Sequence, residues 1–232
     1  MYKKKRILAI IPARKGSKGL KNKNIKKLNN KLLFLHSLHF AEKCKFIDRI
    51  CITTDSPKII NNINNYKKNK KIFLIKRSKK LSSDTASANQ VILDVLLKQR
   101  DIKFDYFILL EPTSPLRLID DIKKALGKLI LTGRDNINSV SENINCSPEF
   151  LYSMNKEGII KTYLNKNNFH IRRQDIKHKT FFLNGTFYIS KISKFLKYKS
   201  LFNNSLGYLT KKQYSFEIDD ELDFKILKYL MK

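Results

Sequence analysis

Cysteine is scarce in this chain: there are three, Cys44, Cys51 and Cys146, odd in number and without metal-ligand spacing. That argues against a disulfide-stapled scaffold and a zinc signature, and leaves buried or incidental thiols. Long apolar runs are missing as well. No stretch approaches the ~18 apolar residues of a membrane span. The run after the basic start MYKKKR is only ILAIIP, short of the roughly 7–15 residues of a signal-peptide core. A cytoplasmic protein without membrane insertion is expected. Internal repeats, a long low-complexity linker and a Ser nucleophile elbow are all absent. Acidic residues are few, 20 Asp+Glu against 48 Lys+Arg, which leaves a net charge of +28. Arginine is also scarce, with 9 among those 48 basic residues.

The shortage of arginine bears on what the charge means. Nucleic-acid readers lean on Arg, whose planar fork makes bidentate contacts, and on exposed aromatics interleaved with it. Here the basic residues are mostly Lys, accompanied by Asn and Ile, as in INNINNYKKNKKIF (60–73), and aromatics sit in strand-like runs such as FDYFILL. Lys, Asn and Ile share A/T-rich codons, so compositional background stands beside a basic binding surface as an explanation. In either case polyanions are attracted non-specifically at low salt. Hydrophobic residues make up 42% of the 232, enough for a real core. The length suits one large α/β domain, or one domain with a small insert.

Short apolar runs alternate with helix-like stretches. Residues 6–11, 49–53, 71–75 and 104–110 read as strands, with Pro12 stopping the first. Residues 33–45, 56–69, 86–100 and 120–131 read as helices, with Thr85 or Asp84 as a cap for the third. Such alternation implies βαβ units and a mostly parallel sheet covered on both faces. After about residue 140 the rhythm changes. Residues 145–182 look like an irregular insert or arm, 184–190 reads as a strand, and 221–231 as a helix capped by Asp219 or Asp220.

Open parallel sheets bind ligands beyond the carboxyl ends of their strands. The turn after the first strand, Pro12 to Asn24, holds two of the seven glycines and five cations. Glycines let backbone N–H groups approach phosphate oxygens, and Arg14, Lys18 and Lys23 can neutralise a triphosphate. The loop is neither a Walker loop nor a GxGxxG fingerprint. On composition it suits a phosphate site or a solvated basic loop. Glu217 and Asp219 flank Ile218, and in an extended segment residues i and i+2 share a face. The pair suits a divalent cation or an acidic helix start. His36 and His39, i and i+3 on a helix, suit a metal less well than separate capping.

IPARKGSKGLKNKN resembles the signature of the acylneuraminate cytidylyltransferases, or CMP-sialic acid synthetases. SSDTAS (82–87), preceded by Lys76 and Arg77, is similar to that family's second nucleotide segment. LLEPTSPLR (109–117) is close to its LLQPTSPLR. Arg173-Gln174 followed by NGTFYI (184–189) resembles its RQ…NGAIYI, and FEIDDELDF (216–224) its DIDxELD. The motifs keep the family's order along nearly the whole chain.

The resemblance implies an α/β, Rossmann-like nucleotidyltransferase. It would have a mostly parallel sheet flanked by helices, forming one cytidylyltransferase domain over 1–232, with a dimerisation arm at about 145–182. It implies transfer of CMP from CTP to a nonulosonic acid, Mg²⁺ as cofactor, and a homodimer, as in sugar activation for cell-surface polysaccharides. The alternatives are an eight-carbon ulosonic acid as acceptor, or a basic nucleic-acid-binding protein. By the same resemblance Arg14, Lys23 and Asp219 are catalytic, and Arg14, Ser17, Lys18, Lys23, Asn24, Arg77 and Ser87 bind nucleotide. Glu111, Thr113, Ser114, Arg173, Gln174, Asn184 and Tyr188 bind the acceptor, and Glu217 and Asp219 hold the metal. Two positions depart from the family: Glu111 stands where Gln is usual, and Glu217 where many members have Asp. A carboxylate at 111 facing an anionic sugar is repulsive unless paired or protonated, with Arg117 the nearest cation in sequence. It is either a tolerated change or the mark of a different acceptor.

Overall fold

The computed structural model describes residues 1–17, 19–66, 69–143, 147–164, 172, 174, 176 and 178–231. Its centre is the strand β1 (Ile7–Pro12), apolar on both faces. Ile7, Ala9 and Ile11 enter one hydrophobic cluster and Leu8 and Ile10 another. A strand buried on both sides carries no polar alternation, which is why it reads as a continuous apolar run. It pairs in parallel with β4 (Arg49–Thr54) on one side and β6 (Tyr106–Leu109) on the other. β5 (Ile72–Lys76) extends the parallel set beyond β4. The cluster of Ile7 is covered by the helices α1 (Leu33–Lys43), α2 (Pro57–Asn64) and α4 (Ile119–Thr132), and that of Leu8 by α3 (Ala88–Lys98) and α5 (Ile192–Tyr198).

The second half of the sheet runs from β6 through β10 (Phe181–Lys191) and β7 (Asn136–Glu142) to β11 (Ser205–Leu209). β10 is antiparallel to both neighbours, while β11 runs parallel with β7. The seven-stranded sheet is therefore parallel except for one strand. Two small antiparallel ribbons lie outside it: β2 (Lys27–Leu28) with β3 (Lys31–Leu32), and β8 (Tyr152–Met154) with β9 (Ile160–Thr162). The latter corrects the irregular reading of 145–182, since the described part of that insert contains an ordered hairpin. The last helix, α6 (Glu221–Leu230), packs Phe224 and Leu227 with Leu20, Leu28 and Leu33. It thus docks beneath the loop that follows β1.

Several expected boundaries shift. β1 continues through Pro12, which stands opposite Thr53 in the β4 register. α3 starts later than expected. Its cap is Ser87 rather than Thr85 or Asp84, because Ser87 and Gln90 form a reciprocal capping box. Asp220 caps α6 by the same device with Asp223. β7, with the sequence NINSVSE, carries no apolar period and escapes sequence reading. Its buried polar side chains donate individually, although Asn136 Oδ1 and Asn138 Oδ1 accept no bond. Asn138 Nδ2 donates to the Leu201 carbonyl at 2.9 Å, and Ser139 Oγ donates to the Phe187 carbonyl at 3.0 Å. The cysteines Cys44 and Cys51 are free and buried, and Cys146 lies outside the described residues. Among the described residues no helix is long and apolar enough to cross a membrane.

Candidate active site

The loop after β1 is pinned from several sides. Ala13 N donates to the Thr53 carbonyl at 2.9 Å, and Thr54 Oγ1 donates back to the Ala13 carbonyl. Lys15 N donates to Asp55 Oδ1 at 2.7 Å, and Asn24 Nδ2 to the Arg14 carbonyl at 2.9 Å. Asn22 turns the chain with φ 57°, a left-handed conformation that Asn tolerates. The two loop glycines do different things. A Cβ at Gly16 would meet open space, whereas one at Gly19 would collide with the Asp219 carbonyl oxygen. Gly19 therefore lets the loop lie against the acidic segment 217–219, a closeness not anticipated from its composition.

A cleft of about 430 Å³ opens at the carboxyl ends of β1, β5 and β6. The cations Arg14, Lys23 and Arg77 line it with Ser17, Thr113 and the carboxylates Asp84, Glu111 and Asp219. Arg14 Nη1 pairs with Asp84 Oδ1 at 2.6 Å. Lys23 Nζ donates to the Ile218 carbonyl and lies 3.5 Å from Asp219 Oδ1. Arg77 is only 6% exposed, and its Nη2 donates to the Thr53 carbonyl at 3.0 Å while Nε has no partner. Burial pushes its pKa down to about 10, which still leaves a cation at neutral pH.

The acidic side is clamped by Arg117, a buried side chain. Its Nε donates to the Thr186 carbonyl at 2.6 Å, Nη1 to Ser37 Oγ at 2.9 Å, and Nη2 to the Glu111 carbonyl. Arg117 thus ties α1, β10 and the end of β6 together. It reaches the backbone of Glu111, and it offsets the Glu111 carboxyl only through space. Burial, and then the nearby Glu217, raise the pKa of Glu111 to about 7, against the opposing pull of Arg117 and Lys23. The Glu217 carboxyl is also raised, by burial first, while the Thr113 hydrogen bond pulls it back and Asp219 adds to the rise. Thr113 Oγ1 donates to Glu217 Oε1 at 2.9 Å.

Eight of the sixteen expected site residues line this cleft: Arg14, Ser17, Lys23, Asn24, Arg77, Glu111, Thr113 and Asp219. Ser87 spends its hydroxyl on the α3 cap, although its neighbours Ala86 and Ala88 line the cleft. Asn184 is 2% exposed, with its amide engaged by Ser141 Oγ at 2.8 Å and Thr210 Oγ1 at 2.6 Å. It builds the irregularity in β10, between Leu183 and Tyr188, instead of lining the cleft. Ser114 is fully buried and its hydroxyl has no partner. Tyr188 sits opposite Leu109 on β10, with its ring against Phe202. Burial pushes its phenol up, and Glu111 then Glu217 add to this. Gln174 is exposed, and Lys18 and Arg173 lie outside the described residues. His36 bonds the Leu28 carbonyl and His39 the Tyr66 hydroxyl, so the two have separate partners. Asp84 as a partner of Arg14, and Gly185 beside Glu217, were not foreseen. Only the spacing of SSDTAS and NGT hinted at either.

Among the described residues no group of three or more His, Cys, Asp or Glu is arranged to hold a metal ion. The donor chemistry nevertheless fits Mg²⁺. Glu217 and Asp219 repel one another, with Glu111 adding to the excess of negative charge beside the cleft. Mg²⁺ needs only one or two carboxylates, taking its other oxygens from water and phosphate.

A cation-rich loop at the carboxyl ends of parallel strands, lining one cleft with carboxylates, is the arrangement of an α/β protein suited to a nucleotide. The profile of the family described as Cytidylyltransferase matches residues 8–229. "Post-translational flagellin modification protein B" of Campylobacter coli is 35% identical over 97% of this chain and 95% of its own length. The CMP-N,N'-diacetyllegionaminic acid synthase of Legionella pneumophila is 31% identical over 98% of this chain and 97% of its own. The solved CMP:2-keto-3-deoxy-manno-octonic acid synthetase complexed with CTP shares the fold with a TM-score of 0.68. It covers 97% of this chain and 98% of that one at 14% identity. The chain belongs to the cytidylyltransferase family.

Proposed function

We propose that the protein transfers CMP from CTP to the anomeric hydroxyl of a nonulosonic acid and releases pyrophosphate. The observation that carries this is the cleft itself, which gathers Arg14, Lys23 and Arg77 with Glu111, Thr113 and Asp219. Relatives whose names specify activated legionaminic and neuraminic acids support the acceptor class. Attack on the α-phosphorus needs charge neutralisation and in-line positioning more than covalent help. Arg14 and Lys23 neutralise the phosphates. Lys18 adds a cation, Ser17 bonds the nucleotide, and Asn24 fixes the loop through the Arg14 carbonyl. Arg77 faces the cytidine, and Ser87 serves it by starting α3 beside the cleft. Glu217 and Asp219 would hold Mg²⁺, which when bound supplies further positive charge to the phosphates.

Glu111, Ser114 and Tyr188 form the acceptor side, and Asn184 supports it through the β10 bend. Arg173 suits the sugar carboxylate as a bidentate donor, with Gln174 beside it. Phe181, Phe182 and Leu183 at the start of β10, with Tyr152, Met154 and Ile160 on the hairpin, leave large apolar side chains exposed. Such a patch supports a homodimer built on this arm. Two free buried thiols fit the reducing cytoplasm. The test is pyrophosphate release from CTP and Mg²⁺ across a panel of sialic, legionaminic and pseudaminic acids. Release dependent on one of these acceptors is expected; no release with any of them overturns the reading.

A further inference from the structure

Thr113 stands among the residues expected to meet the sugar, but its polar atoms are turned toward the acidic segment. Its hydroxyl donates to Glu217 Oε1 at 2.9 Å. Its carbonyl accepts from Ile218 N, also at 2.9 Å. One residue therefore holds the backbone and the side chain of the 217–218 pair together. The other carboxyl oxygen, Oε2, rests against Gly185, lying 3.0 Å from where a Cβ would stand. Ser114 Oγ lies 2.9 Å from the same point. Gly185 has φ +67°, a backbone that side chains rarely adopt. Asn184 holds that bend through Ser141, Thr210 and the Thr186 amide, which donates to Asn184 Oδ1 at 3.2 Å. The space that a side chain at 185 would take is the space the carboxyl of Glu217 needs.

We infer that Thr113 and Gly185 are positioning residues for the Glu217 carboxylate. Thr113 aims it by a charge-assisted hydrogen bond, and Gly185 leaves room for the carboxyl group itself. Thr113 then acts on the nucleotide–metal side of the reaction and not as a ligand of the sugar. The inference rests on the reading of Glu217 as a metal ligand. Partners that orient a ligating carboxylate typically contribute 10–100-fold to metal affinity.

The experiment measures Mn²⁺ affinity by electron paramagnetic resonance in the complex with CTP, together with acceptor KM. Thr113→Val is expected to weaken Mn²⁺ about tenfold with acceptor KM unchanged, and Thr113→Ser to restore it. Gly185→Ala should weaken Mn²⁺ as much while keeping the Thr113 hydroxyl, which guards against a folding defect in one variant. On a Glu217→Gln background Thr113→Val should add no further loss. Wild-type Mn²⁺ affinity in Thr113→Val overturns the inference, whatever the acceptor KM does. Wild-type Mn²⁺ affinity in Glu217→Gln overturns the metal reading itself, and the positioning role with it.

Discussion

The two sides of the cleft are built differently. On the cationic side, Arg14 is 27% exposed at its side chain, lies on a loop, and meets its partner Asp84 at the surface. On the acidic side, Arg117 is buried and clasps three separate elements. Arg14, which must take up and release a polyphosphate, is held lightly; Arg117, which holds the backbone beside Glu111, is locked. Substitutions should therefore separate activity from stability according to the side they strike.

The largest effect is expected on the locked side. Arg117→Met would take the donor from the Thr186 carbonyl and from Ser37 Oγ in a buried region, while the Glu111 carbonyl would keep Ser114 N at 3.2 Å and Ser37 Oγ at 3.3 Å. Each of these two groups costs about 1–3 kcal/mol, so a total of roughly 2–6 kcal/mol is expected in urea denaturation. Lys offers no planar fork and should not rescue it. A loss below 1 kcal/mol would show that the clasp is not structural. The lightly held side gives the opposite signature. Arg14→Ala should lower kcat/KM for CTP by about 100-fold while leaving the denaturation midpoint nearly unchanged. An equal loss of stability would erase the contrast.

How much of this was legible follows the same divide. The cationic side follows β1, whose run ILAII announces a strand in any reading, and its glycines and cations sit together in sequence. The acidic side depends on contacts between residues far apart, Arg117 with Thr186 and Thr113 with Glu217. No local pattern reports these. β7 was missed for a related reason. Its buried Asn and Ser side chains are bonded one at a time, so the hydrophobic period that marks a strand is absent. The resemblance implies an acceptor-binding role for Asn184; burial and two hydrogen bonds make it a frame for Gly185. The two motif departures had unequal fates. Glu217 found a hydrogen-bond donor in Thr113, whereas Glu111 met two like charges.

Glu111 sharpens the comparison through pH. Its pKa moves from an ordinary 4.5 to about 7, first through burial and then through Glu217. Between those values the folded protein holds more protons than the unfolded chain, so stability falls as pH rises through this window and levels off above it. Arg117 and Lys23 oppose the shift, and Glu217 and Asp219 enlarge it. Glu111→Gln should flatten the slope and gain about 2 kcal/mol at pH 8 in metal-free protein, read as melting temperature against pH. An unchanged slope would mean that the carboxyl is solvated.

The smallest effect concerns the Arg14–Asp84 ion pair in the cleft lining. Arg14 and Asp84 lie 2.6 Å apart, and an incoming triphosphate must compete with Asp84 for the same guanidinium. A partly exposed pair of this kind contributes about 0.2–1 kcal/mol. Asp84→Asn keeps the shape and removes the charge, so CTP should bind roughly two- to fivefold more tightly, the equivalent of that energy. The gain should shrink as salt rises, since the competing attraction is screened. If CTP binding weakens instead, Asp84 orients Arg14 for the phosphates, and the cationic side is more firmly built than its exposure implies.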